Sequence, residues 1–137
     1  AIPRDLAKLL WSQGEGAQAL ALLDSLPPEA RAAPEIAPLH AHLTLAETAR
    51  TAPPLDALDT QLTARPDNAA LLFQRAAVRL AQDDYEGAMT DLLALARDHR
   101  DYRHDSGRTS LLALFELLGS VHPLTQRFRR ALSESLH

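Results

Sequence analysis

The chain has 137 residues, within the roughly 100–150 where single domains are commonest, so one hydrophobic core suffices without staples. It contains no cysteine, which excludes disulfides, thiol catalysis and thiolate metal sites. Fourteen basic against eighteen acidic residues argue against a general nucleic-acid surface, and no apolar run approaches the ~20 residues needed to cross a bilayer.

Twenty-five alanines and 27 leucines, with only five glycines, favour helices over a turn-rich β fold. Apolar spacing places a first helix through Leu6, Leu9 and Leu10 and a second through Ala19, Leu20, Leu22, Leu23 and Leu26. Gly14 and Gly16 mark the turn between them, and Pro27-Pro28 stops the second. Leu39, Leu43 and Ala46 stripe a third helix, which breaks over Thr51–Pro54 before a fourth carrying Leu55, Leu58 and Leu62. After Pro66, either Asp67 or Asn68 caps a fifth helix presenting Leu72, Phe73, Ala76, Ala77 and Leu80. Asp83 and Glu86 have capping-box spacing ahead of a sixth, striped by Tyr85, Met89, Leu92, Leu93 and Ala96. A polar loop over 99–107 precedes a seventh with Leu111, Leu112, Leu114, Phe115 and Leu118, closed by Gly119. Pro123 opens an eighth, striped by Leu124, Phe128, Leu132 and Leu136. About eight helices with short turns imply an all-α fold, an α-solenoid of stacked antiparallel hairpins.

Residues 13–20 (Gln-Gly-Glu-Gly-Ala-Gln-Ala-Leu) parallel residues 82–89 (Gln-Asp-Asp-Tyr-Glu-Gly-Ala-Met), 69 positions later. That offset is about twice 34, the tetratricopeptide period. The stretch from Pro66 through Ala76 to Tyr85 and Ala88 resembles such a repeat, with Ala76 at the small position where paired helices nearly touch. Arg75, Arg79 and Asp83 depart from the family's usual leucine, aromatic and glycine. The chain reads as one tetratricopeptide-like domain over 1–137, with repeats near 3–34, 35–66 and 67–100 and a C-terminal hairpin over 105–137. Its opening on Ala rather than Met fits an excised C-terminal domain.

Ala88–Leu93, Arg97-Asp98, Leu111–Gly119 and Pro123–Leu132, together with Ala17–Leu20 and Leu26–Arg31, resemble the C-terminal region of YbbN-type bacterial thioredoxin-fold co-chaperones. The resemblance implies a cytoplasmic interaction or holdase module. Its partners would be chaperones, partly unfolded clients or an N-terminal thioredoxin-like domain, without nucleic acid or membrane. A free-standing adaptor for one specific folded partner is the alternative.

Carried over by position, the first helix of each repeat lines a groove. The groove residues would be Arg4, Lys8 and Trp11, then Leu43, Glu47 and Arg50, then Phe73, Gln74 and Ala77. Trp11, the only tryptophan, lies one turn from Lys8, the only lysine, and suits an anchor, though it can also serve as core. The lysine- and asparagine-rich clamp for acidic chaperone tails is not apparent, because Asn68 is the only asparagine.

No catalytic, metal or cofactor site is expected. His40 and His42 point about 200° apart on a helix and cannot share an ion. His99 and His104 among Asp98, Asp101 and Asp105 read as a solvated loop. Arg127, Arg129 and Arg130 read as a solvated helix face. There is no nucleophile elbow and no glycine-rich phosphate loop.

Overall fold

A computed structural model describes residues 2–135. Among them every regular element is helical: α1 (Ile2–Ser12), α2 (Gly16–Asp24), α3 (Pro28–Arg31), α4 (Ala37–Thr51), α5 (Leu55–Ala64), α6 (Ala69–Ala81), α7 (Tyr85–Asp98), α8 (Ser106–Leu118) and α9 (Pro123–Ser135). The architecture is an α-solenoid of stacked hairpins. The expected stripe residue Leu136 lies outside the described residues.

Local chemistry accounts for most boundaries. Asn68, not Asp67, caps α6 by accepting the Leu71 amide at 2.9 Å. Asp84, not Asp83, caps α7 by accepting the Gly87 amide at 3.0 Å, which corrects the expected capping register. Proline opens α9 at its first position. Pro27-Pro28 ends α2 as expected but also starts α3, because proline fits the first turn of a helix, where its missing N–H costs nothing. Helix α8 begins at Ser106, inside the stretch read as loop.

The 69-residue repeat is a repeat of backbone geometry. In the first turn, Gln13 N–H reaches Leu9 O (3.1 Å), Gly14 reaches Trp11 O (3.0 Å) and Glu15 reaches Leu10 O (2.9 Å). In the second, Gln82 reaches Val78 O (3.2 Å), Asp83 reaches Leu80 O (3.0 Å) and Asp84 reaches Arg79 O (2.9 Å). Gly14 (φ 79°) and Asp83 (φ 62°) both take the left-handed conformation, which explains the glycine in one copy. Fully buried residues also correspond: Ala7 with Ala76, Ala19 with Ala88, and Leu23 with Leu92.

Helix α4 lies against α2, α6 and α8, while α7 packs on α6, α8 and α9. Helices α4, α6, α7 and α8 thus ring the larger core, which includes Phe73, Ala76, Met89, Leu92, Leu111 and Phe115. A smaller core of Ala7, Ala19, Leu23, Ile36, Leu39 and Leu43 joins the first hairpin to α4. Helix α5 rests on α6. Gly107 permits the close crossing of α8 and α7, since a Cβ there would stand 2.6 Å from Ala96 N and 2.8 Å from Leu92 O.

Candidate interaction surface

Helix α1 buries only Ala7 among its residues, because α2 is the one element it packs against closely. Its row of Ile2, Leu6 and Leu9, spaced for one face, stays 84, 43 and 53% exposed. On the far side of the helix, roughly 160° around, Arg4, Lys8 and Trp11 follow one another at helical spacing, with Lys8 and Trp11 exposed and Arg4 half-buried.

That flank ends at a corner where three helices meet. A Cβ on Gly16, at the start of α2, would stand 2.6 Å from Glu47 Oε2 and 3.6 Å from Trp11 Cδ1. Arg50 pairs with the Glu47 carboxylate at 3.1 Å and remains exposed. Five of the nine expected groove residues therefore gather on the α1 flank and the neighbouring end of α4.

The other four sit elsewhere. Leu43 is enclosed in the smaller core, and Phe73 and Ala77 in the larger one. Phe73 is covered by Tyr102 (ring centroids 6.0 Å apart) and by the Arg103 guanidinium, 5.2 Å above its ring. Gln74 is half-buried. Two packings account for Leu43 and Phe73: the first hairpin closes over Leu43 on α4, and the loop before α8 folds over Phe73 on α6.

Residues that depart from the repeat pattern form a cluster that a scan for chemistry along the sequence passes over. Asp91, 2% exposed, accepts from Arg75 Nη2 (2.8 Å), Arg75 Nε (3.1 Å) and Arg79 Nη1 (3.1 Å). Arg75 also reaches Asp59 on α5 at 3.1 Å. Its hydrogen bond to Asp91 raises the guanidinium pKa further above its already high value, outweighing desolvation. In the first copy the equivalent positions are Leu6, Leu10 and Leu22, so one set of positions is apolar and the other charged. The signal in the sequence was this paired substitution at offset 69.

A cleft of about 680 Å³ opens between α2, α3, α4 and the start of α8. Arg31, Arg103, Arg108 and His104 line it, while its single carboxylate, Asp24, is held by His40 at 2.6 Å. His42 lies on another face of α4. Burial lowers its pKa below the ordinary value, against the raising pull of the Ala113 backbone and Glu116. Among the described residues, no three His, Cys, Asp or Glu side chains gather to hold a metal. No described helix is long and apolar enough to cross a membrane. The arginines of α9 are exposed, but two of them reach neighbouring helices, Arg127 pairing with Glu86 of α7 at 2.7 Å and Arg129 stacking over Phe115 of α8.

A family model described as a tetratricopeptide repeat matches residues 48–137. No curated protein and no solved structure matches the chain.

Proposed function

The chain belongs to the tetratricopeptide repeat family, whose repeats generally bind proteins, and from this premise we propose that it is the non-catalytic interaction domain of a YbbN-type thioredoxin-fold co-chaperone. On this reading the whole stretch 1–137 acts as one cytoplasmic domain, and its partners are chaperones and partly unfolded polypeptides. The observation that carries the proposal is the unburied surface of α1, which presents an apolar row on one side and Trp11 with Lys8 on the other. Exposed apolar rows rimmed by polar side chains mark interaction sites. They suit unfolded segments, which offer apolar side chains without a fixed shape. The residues of the co-chaperone resemblance fall on α2, α3, α7, α8 and α9, of which α2 packs closely on α1.

The test is capture of a chemically denatured client by the chain and by Trp11→Ala, with thermal melting alongside. Trp11→Ala should weaken capture by several-fold while leaving most of the folded stability. A large loss of melting temperature with capture per folded molecule unchanged would make Trp11 a core residue and remove the flank from the site.

A further inference from the structure

The cleft between α2, α3, α4 and the start of α8 holds cations that no carboxylate among the described residues meets. The chain is acidic overall, and its arginines elsewhere find counter-charges: Arg4, Arg50, Arg75, Arg79, Arg97 and Arg127 each stand within 4.0 Å of a carboxylate. Arg31, Arg103 and Arg108 have no such partner among the described residues, and all three line this one cleft together with His104. They come from separate elements, Arg31 from α3, Arg103 from the loop before α8 and Arg108 from the first turn of α8. The one lining carboxylate, Asp24, is already held by His40 at 2.6 Å, and Asp105, just ahead of α8, is not part of the lining.

The site is also partly built. Arg31 Nε and Ser106 Oγ are buried and have no hydrogen-bond partner. Buried polar groups in folded proteins are nearly always paired, so acceptor atoms from outside the chain would complete both. Arg103 is fixed by its stacking 5.2 Å above the Phe73 ring, which sets that cation before any ligand arrives. The start of α8 adds the partial positive charge of a helix N-terminus. Hydrocarbon from Leu20, Pro28, Ala32, Ala37 and Ala41 supplies the other wall. The volume of about 680 Å³ lies within the roughly 300–1,000 Å³ of small-molecule sites. All of the lining belongs to residues 20–110, and none of it to α1.

We infer that this cleft binds a phosphate monoester carried on an apolar body, with Arg31, Arg103 and Arg108 on the phosphate and the hydrocarbon wall against the body. Guanidinium forks meet phosphate oxygens two at a time. A phosphate brings close to two negative charges and three acceptor oxygens, enough to answer three cations. A carboxylate, with one charge and two oxygens, would leave part of that demand unmet.

The probe is phenyl phosphate, titrated into the chain by calorimetry, with benzoate and inorganic phosphate alongside. Phenyl phosphate should bind saturably and about tenfold more tightly than either, because benzoate lacks the second charge and inorganic phosphate lacks the apolar body. Arg108→Gln, at an exposed position that leaves the fold intact, should weaken binding several-fold, and adding Arg31→Gln should weaken it about tenfold further. Arg130→Gln, an exposed arginine on α9, should change nothing. Melting curves show whether each variant is folded; if Arg31→Gln is not, Arg108→Gln alone decides. Absence of saturable binding at millimolar phenyl phosphate, equal binding of benzoate or inorganic phosphate, or binding that Arg108→Gln leaves unchanged overturns the inference. A short peptide with a central phosphotyrosine identifies the source. Binding more than tenfold tighter than phenyl phosphate means that the phosphate arrives on a protein segment, and comparable or weaker binding that it arrives on a small molecule; both uphold the cleft as a phosphate site.

Discussion

Replacing Asp91 with alanine should cost about 3 kcal/mol of folding stability, and the structure says why the figure is neither smaller nor larger. The carboxylate is 2% exposed and accepts three guanidinium N–H groups from α6. Removing one partner of a buried ion pair costs roughly 3–5 kcal/mol, because the remaining charge stays desolvated. Here the stranded side chains, Arg75 and Arg79, retain 21 and 23% exposure and can draw in water. Arg75 also keeps Asp59, but that carboxylate is 47% exposed, so its pair contributes less than about 1 kcal/mol. The low end of the range applies. Urea unfolding at neutral pH should show a lower midpoint at unchanged slope, and calorimetry a melting temperature lower by roughly 10 °C. The triple variant Arg75→Leu, Arg79→Leu and Asp91→Leu adopts the leucines of the first hairpin and should fall within about 1 kcal/mol of wild type. A single variant losing under about 1 kcal/mol, or a triple variant as unstable as the single, would refute the picture of a desolvated ionic cluster that substitutes for an apolar contact.

Two further outcomes follow from the core and from α4. Gly107→Ala should destabilise by about 2 kcal/mol despite alanine's better helix propensity, because the new methyl meets the α7 backbone, which cannot turn aside; a urea midpoint that rises would show the α7–α8 crossing to be loose. The lowered pKa of His42 means that, below the ordinary value of 6.5, the unfolded chain binds a proton at this site that the folded chain resists. Stability should therefore fall as pH drops from 7 through that range, and His42→Gln should lessen the fall when midpoints are compared across pH.

What could be read along the chain was whatever a segment decides for itself. The helical stripes, a cap at Asp67 or Asn68, the proline start of α9 and the offset of 69 are all local patterns; the folded chain displays them and settles the cap on Asn68. Asp83 was placed at a cap because its spacing to Glu86 fits one, yet the left-handed turn it occupies leaves the neighbouring Asp84 to reach the amide. Burial of Leu43, Phe73 and Ala77 is a different kind of fact. Each belongs to a row that helical periodicity marks as apolar, but whether that row faces a cavity, a neighbour or water depends on which helix arrives. Here the first hairpin comes to Leu43 and Tyr102 to Phe73, each across a long sequence separation. The Asp91 cluster was hidden for the same reason: an arginine in place of leucine looks like damage to the pattern until the facing aspartate, sixteen residues on, is placed beside it.

The two hairpins therefore serve as each other's control. Where α6 has α5 above it, the row of Leu71, Arg75 and Val78 beneath is dry except for one arginine with its own counter-charge; where α1 has no such cover among the described residues, the row of Ile2, Leu6 and Leu9 is all hydrocarbon. Side chains that stay in water are ordinarily polar or charged. Instead Leu6 stands where the covered copy tolerates an ion, so the open row is the more apolar of the two. That ordering is opposite to the one exposure alone would produce. It is the ordering expected if the surface is buried when the protein is at work, since a central arginine on α1 would then need a carboxylate from whatever covers it.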